Sequence, residues 1–294
     1  MSHPVIFDRA LLRARRARAA QLGAETFLID RVAEDLAVRL SAVLRRFDVA
    51  ADVGTPTDAV RRAMAGRVGK IGAVDPGAQG DKALTVAADE EALPFRDGSL
   101  DLAVSALALQ FVNDLPGTLI QIRRALKPDG LFLAALIGGD SLAELRAAFA
   151  QAESEVEGGV SPRVAPFADL RDLGALLQRA GFALPVTDID RVTVRYSSPL
   201  SLMHDLRRMG ATNVLTERRR KPLRRATLQR LFEIYADRFA DADGRIRATF
   251  EIVWLSGWAP HESQQQPLKP GSAKTRLADA LRTAELPAGE KAGR

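Results

Sequence analysis

Apolar segments of strand length alternate with helix-like segments over the first half of the chain, and this alternation restricts the possible folds more than any other feature. The strand-like segments are residues 48–53, a stretch ending at Asp75, "KALTV", "SLDLAVSALAL" and "LFLAALIGG". Such alternation is typical of a parallel sheet with right-handed crossovers. The last segment is apolar on both faces, as in a central strand covered on two sides. The sequence therefore predicts an α/β fold with helices on both faces of a Rossmann-like sheet.

The segments outside this alternation predict helical additions and a last strand. Residues 8–46 are helix-like, with one apolar stripe at a period of 3.6 residues that comprises Phe27, Leu28, Val32, Leu36, Leu40 and Leu44. After residue 139 more helices follow, and "RIRATFEIVWLSGW" predicts the last strand. We therefore predict a helical N-terminal extension over 1–46, an α/β core of cofactor-binding type over 47–140, and a C-terminal half with a helical insertion and the last strands over 141–262. The polar, proline-containing residues 263–294 predict a disordered tail.

Composition excludes several classes of site. The 294 residues include no cysteine, which removes disulfides, thiolate zinc clusters and Cys nucleophiles. No apolar run reaches the roughly 18 residues of a membrane span. The net charge of +5 comes mainly from Arg9–Arg18 and Arg218–Arg225. Aromatic residues do not alternate with these runs, so DNA binding is not expected. Solvated helix faces, or a docking surface for an acidic protein or a membrane, remain open.

Three acidic residues lie at the ends of predicted strands: Asp52, Asp75 and Asp89. In open α/β sheets, ligands bind at the carboxyl ends of the strands near the switch in strand order. The three carboxylates therefore predict a ligand edge. Asp75 could instead be a turn residue before Pro76, and Asp89 could belong to a solvated acidic turn.

Four segments of this region resemble the class I S-adenosylmethionine-dependent methyltransferases: "DVG", "VDP", "LPFRDGSLD" and "LKPDG". The resemblance covers about residues 30–140 and implies S-adenosylmethionine as the cofactor. The implied cofactor-binding residues are Asp52, Gly54, Thr55, Asp75, Asp89, Glu90 and Ser105. The implied substrate pocket contains Leu107, Gln110, Gly138 and Gly139.

The loop after the first strand departs from the D-x-G-x-G-x-G pattern of these methyltransferases. Asp52 and Gly54 match, whereas Pro56 and Asp58 stand where the pattern has its second and third glycines. Proline fixes φ and removes an N–H, and Asp58 adds a negative charge where the cofactor carboxylate is expected. Both changes oppose cofactor binding, so the sequence leaves open whether S-adenosylmethionine binds.

A narrower resemblance extends over nearly the whole chain. Segments such as "FVNDLPGTLIQIRRALKPDG", "EGGVSP" and "HESQ" resemble the branch that contains the arginine-hydroxylating assembly factor of respiratory complex I. That branch is related to the malonyl-carrier-protein methyltransferases of biotin synthesis. The resemblance implies a protein client, namely a subunit of the respiratory NADH dehydrogenase. Because matching segments begin almost at Met1, we expect a cytoplasmic bacterial counterpart, with peripheral contact at the inner membrane as an option.

Three functions remain open at this point. The first is an enzyme that modifies a protein by methyl transfer or arginine hydroxylation, which the strand-end acids favour. The second is a non-catalytic assembly factor with a degenerate cofactor loop, which Pro56 and Asp58 favour. The third is methylation of a carrier-protein thioester or a small molecule. No catalytic residue is assigned, and because His3, His204 and His261 lie in no metal-binding motif, no metal is assigned either.

Overall fold

A computed structural model describes residues 4–77, 84–265, 271–272 and 275–284. The chain divides into two compact units, residues 1–260 and 261–294. The first unit contains the sheet, and the described part of the second contains one short helix. None of the helices within these ranges is both long and apolar enough to cross a bilayer.

The first unit is built on one seven-stranded sheet, in the order β3-β2-β1-β4-β5-β7-β6. The strands are β1 (Val49–Val53), β2 (Lys70–Val74), β3 (Thr85–Val86), β4 (Leu100–Ala106), β5 (Leu126–Ile137), β6 (Ala183–Tyr196) and β7 (Ile246–Trp258). Strands β1 to β5 are parallel, and β7 is antiparallel to both of its neighbours. The strand order reverses between β1 and β4, where Asp52 lies between Ala73 and Val104. This arrangement confirms the predicted Rossmann-like sheet.

Helices cover both faces of this sheet. They are α1 (Arg9–Gln21), α2 (Phe27–Ser41), α3 (Ala59–Ala63), α4 (Leu115–Ala125), α5 (Ala143–Glu157), α6 (Leu170–Arg179), α7 (Pro199–Arg208) and α8 (Arg225–Phe239), with a 3-10 turn at Leu109–Phe111 and α9 (Leu277–Leu281) in the second unit. One apolar cluster joins α2, α5, α7 and α8 to one face of the sheet. A second cluster joins α4 and α6 to the other face. Burial on both faces explains why the strand segments are apolar throughout.

The N-terminal extension differs from its prediction in one respect. The helical segment is interrupted after α1, where Gly23 has a φ of +80°, and it ends at Ser41. Leu28, Val32, Leu36 and Leu40 are buried as the stripe predicted, and Phe27 packs against the same core. The prediction for Leu44 is wrong, because Leu44 lies beyond the end of α2 and is fully exposed. A helical stripe has no meaning once the helix has ended.

About half of the predicted tail lies outside the described residues, and the described part contains α9. The predicted domain boundaries at residues 46, 140 and 262 stay predictions. The third strand is only two residues long, so Asp89 and Glu90 reach the sheet edge on a loop that follows β3.

Candidate functional site

Gly54, the residue after β1, allows the buried Glu90 carboxylate to pack against the loop that begins at Gly54. Gly54 has a φ of +74°, and its N–H donates to the Val74 carbonyl at 2.9 Å. A Cβ placed at residue 54 would lie 2.5 Å from Glu90 Oε1. Glycine is therefore required here both for its backbone conformation and for the approach of Glu90.

Three predicted cofactor residues hold the loop against β4. Ser105 Oγ donates to the Val53 carbonyl at 2.7 Å, and the Ala106 N–H donates to Thr55 Oγ1 at 3.1 Å. Asp52 is fully buried, and its Oδ2 accepts a hydrogen bond from Arg61 Nη1 at 3.1 Å. These contacts shape the end of β1.

Burial raises the pKa of the Asp52 carboxyl from 3.8 to about 7, against the opposing effect of Arg61. Because the native pKa is raised, the native state binds more protons than the unfolded chain between about pH 4 and pH 7, and stability falls as pH rises through this window. We therefore expect Asp52→Asn to gain about 2.7 kcal/mol in unfolding free energy relative to the parent protein between pH 5 and pH 8, because about two pH units separate pH 5 from the native pKa of about 7 and each contributes about 1.36 kcal/mol. Urea denaturation at both pH values measures this gain. A difference between the two proteins that does not change with pH would contradict the raised pKa.

The other strand-end acids lie at the same edge. Asp75 is partly exposed, and its Oδ1 accepts the Gly77 N–H at 2.8 Å, as in a turn. Asp89 Oδ1 accepts the Glu91 N–H at 2.9 Å, and Asp89 is paired with Arg9 at 2.7 Å. Each of these two acids therefore makes one hydrogen bond that is typical of a turn residue, as the alternative interpretation predicted.

Helix α1 lies over this edge and supplies its counter-charges. Arg9 pairs with both Asp89 and Glu90, and Glu90 is only 1% exposed. Arg16 Nη1 lies 3.7 Å from Glu90 Oε1 and 3.5 Å from the Gly54 carbonyl oxygen. Arg13 lies 3.4 Å from Asp89. The sequence predicts these arginines only as part of a surface patch, although their i, i+4, i+7 spacing places them on one helical face.

A cavity of about 130 Å³ opens beside the loop. Its lining includes Arg16, Pro56 and Thr57 together with the predicted pocket residues Leu107 and Gln110. Gln110 Nε2 donates to the Leu107 carbonyl at 2.8 Å, whereas its buried Oε1 accepts no hydrogen bond from the described residues. Leu107 is held at a φ of +51°. Such backbone strain in a non-glycine residue often accompanies functional sites.

The predicted pocket glycines lie outside this cavity wall. The Gly138 N–H donates to the Glu251 carbonyl at 2.8 Å, and a Cβ at residue 139 would lie 3.4 Å from the Phe167 carbonyl. Their neighbours Ile137 and Ser141 do line the cavity. Gly138 and Gly139 thus serve the close packing of the turn after β5.

Comparison with known proteins decides the family. A methyltransferase domain family matches residues 51–134. The mitochondrial arginine-hydroxylase NDUFAF5 of Danio rerio is 37% identical over 293 residues, which cover 96% of this chain and 91% of that protein. The chain belongs to the NDUFAF5 family.

Two further comparisons place this NDUFAF5 relative among methyltransferase-fold proteins. A malonyl-[acyl-carrier protein] O-methyltransferase of Laribacter hongkongensis is 39% identical over 186 residues, or 63% of this chain and 60% of that protein. A crystal structure from Bacillus halodurans, described as a methyltransferase, has a TM-score of 0.51 at 18% identity and covers 76% of this chain and 99% of its own. The second similarity establishes the fold alone.

The loop departures in this family member have local compensation. Asp58 is exposed, and its carboxylate pairs with Arg62 one helical turn away on α3. Its negative charge is therefore only partly offset, because Arg62 is exposed and also pairs with Asp30. Pro56 is exposed and borders the cavity, so its missing N–H leaves one donor fewer at the rim. A sequence pattern predicts neither outcome, because both depend on where the loop side chains point.

The residues present fit S-adenosylmethionine in their chemistry. Asp75 could accept the ribose hydroxyls, since a carboxylate accepts two hydrogen bonds well. The Gly54 carbonyl, which lies 3.5 Å from Arg16 Nη1, could accept from the ammonium group of the cofactor. Among the residues that the structure describes, no three His, Asp or Glu side chains come together as metal ligands.

Proposed function

We propose that this chain binds S-adenosylmethionine at the edge formed by β1, β2 and β4 and modifies an arginine of a protein client during assembly of the respiratory NADH dehydrogenase. The observation that carries the proposal is the buried Gln110 carbonyl, which has no hydrogen-bond donor among the described residues and belongs to a residue that lines the cavity beside the loop. A guanidinium presents five N–H donors and is well suited to such an acceptor. The similarity to an arginine-hydroxylase over 96% of the chain supports the same client chemistry.

The side chains around the cavity would act by holding and orienting the client. Glu25 also lines the cavity, and its carboxylate lies 3.4 Å from Arg208 Nη1. Glu25 and Gln110 could therefore both supply acceptors for a guanidinium. Bound S-adenosylmethionine would supply an electrophilic methyl group on a sulfonium. Positioning the acceptor in line with that group would be the main contribution of the protein to a methyl transfer.

Calorimetric titration with S-adenosylhomocysteine tests the cofactor part of the proposal. We expect roughly micromolar binding, or about −8 kcal/mol. We expect Asp75→Ala to weaken binding by about tenfold or more, since it removes a charge-assisted acceptor, which is worth roughly 1.5–3 kcal/mol. Asp97→Ala is the matched control, because Asp97 is exposed and pairs with Arg124. If millimolar ligand gives no heat and no thermal stabilisation, the cofactor proposal is wrong.

The client part is tested by mass spectrometry of respiratory NADH dehydrogenase subunits from cells with and without this gene. An arginine that carries the mass of one extra oxygen atom only in cells with the gene would support hydroxylation. An arginine that carries one extra methyl group only in those cells would support methyl transfer. Identical arginine masses in both cells would contradict an arginine-modifying role.

A non-catalytic assembly factor is the second candidate. The cavity of about 130 Å³ is smaller than the roughly 300–1,000 Å³ of typical ligand pockets. Arg16 already contacts the Gly54 carbonyl and Glu90. A protein of this kind would bind its client but would give no heat with S-adenosylhomocysteine.

A further inference from the structure

A second cavity adjoins the one beside the cofactor loop. Its volume is about 270 Å³, and the two cavities share the residues Phe111, Leu142, Phe167, Leu206 and Ala211 as lining. Its apolar floor includes Leu145 and Phe149 of α5. A ligand group held in the second cavity would therefore lie next to a group in the first.

Four arginines line this second cavity: Arg15, Arg163, Arg218 and Arg219. We call it the arginine cavity. Such a concentration is unusual for a partly buried wall, since arginine is rarely buried unless it is paired. The side chains of Arg163 and Arg218 are each only 16% exposed. The chemistry of the cavity therefore depends on how many of these charges are already neutralised.

Three of the four have a carboxylate partner. Arg163 pairs with Glu153, Arg218 with Asp8 at 3.2 Å, and Arg219 with Glu157. Each of these arginines is thus balanced by an acid within the protein.

Arg15 differs from the other three. It donates to Thr212 Oγ1 at 2.6 Å, and within the described part of the chain no carboxylate forms an ion pair with it. Burial lowers the pKa of Arg15, and the nearby cations Arg218 and Arg18 lower it further, whereas the Asp8 carboxylate has a smaller opposing effect. The wall therefore carries about one positive charge in excess of its acids, and an anion placed there would relieve the repulsion.

We propose that the arginine cavity binds a carboxylate side chain of the protein client, so that the chain prefers a target residue with an acidic neighbour. The proposal rests on the proposed function of the adjoining cavity. A single carboxylate carries one negative charge and matches the excess on the wall, whereas a phosphate monoester carries about −1.5 to −2 at pH 7. The planar fork of Arg15 can also hold a carboxylate through two parallel hydrogen bonds.

Fluorescence anisotropy with two labelled peptides tests this preference. Each peptide has one central arginine in a Gly-Ser background, flanked on both sides either by Glu or by Gln. We expect the parent protein to bind the Glu peptide roughly tenfold more tightly than the Gln peptide, a charge-assisted difference that should shrink as salt is raised. We expect Arg15→Gln to lose the preference. Arg15→Lys should recover part of it, because lysine keeps the charge but not the fork.

Arg179→Gln is the matched control, because it removes one charge from an exposed arginine of α6. It should keep the full preference, and the thermal unfolding midpoints should show that all variants are folded. Equal binding of both peptides by the parent protein would overturn the proposal. So would competition by inorganic phosphate or 4′-phosphopantetheine without any preference for Glu, which would assign the cavity to a carrier-protein group.

The two proposals can fail separately. Binding of S-adenosylhomocysteine without a preference for the Glu peptide would overturn the client site and leave the cofactor site standing. A preference for the Glu peptide without S-adenosylhomocysteine binding would leave the client site standing and overturn the cofactor site.

Discussion

Replacing Gly54 with alanine is expected to destabilise the protein by about 3 kcal/mol and to abolish binding at the cofactor edge. A φ of +74° costs an L-residue roughly 1–2 kcal/mol. The new Cβ would also lie 2.5 Å from Glu90 Oε1 and 2.6 Å from Glu90 Cγ. Glu90 cannot turn away cheaply, because it is buried and paired with Arg9. Overpacking of this kind adds roughly 1–3 kcal/mol.

Gly66 provides a matched control for Gly54. Its φ is +76°, but a Cβ there would meet no atom within 4 Å. Gly66→Ala should therefore show only the backbone cost, and the difference between the two variants isolates the contact with Glu90. Urea denaturation measures both. Equal losses of stability in the two variants would mean that Glu90 does not press against the loop.

The second large effect is expected at Glu153, a fully buried carboxylate on α5. It accepts hydrogen bonds from the Ser161 N–H at 2.8 Å and from Arg163 Nε at 2.8 Å. These bonds fasten the segment after α5, which includes Gly158. Glu153→Ala would leave Arg163 without its partner, and loss of one member of a buried pair costs roughly 3–5 kcal/mol. We expect a destabilisation of about that size and faster proteolysis between residues 158 and 164.

Glu155 is the control for this prediction, because it lies two residues further along α5 and pairs with Arg230 at the surface. Glu155→Ala should have a much smaller effect, as exposed ion pairs contribute little. Limited proteolysis and urea denaturation distinguish the two variants. If both lose the same stability, the segment after α5 is not held by Glu153.

The parts of the fold that depend on local patterns agreed with their predictions. The apolar strands, the helical stripe over α2 and the turns that place acids after β1 and β2 are properties of short segments. The Rossmann-like sheet was predicted because alternating strands and helices allow few topologies. The prediction that Leu44 is buried was wrong, because apolar periodicity does not show where a helix ends.

The candidate site was predicted less completely, because it is made of contacts between distant segments. Asp52 was predicted as a cofactor-binding residue, but its burial and its raised pKa come from neighbours on β2 and β4. The unfavourable charge expected at Asp58 is partly offset by Arg62. The arginine cavity was not predicted at all, since its four arginines come from α1 and from two separate loops.

The sequence by itself determined the layered α/β architecture, the family and the set of strand-end acids, because periodicity and short motifs are encoded within about ten to twenty neighbouring residues. Only the tertiary structure decided which charges meet. Arg9 and Glu90 are separated by 81 positions along the chain, and Arg15 and Thr212 by 197. Such pairs form when packing places one helix against one sheet edge, and a pattern within either segment carries no information about the other.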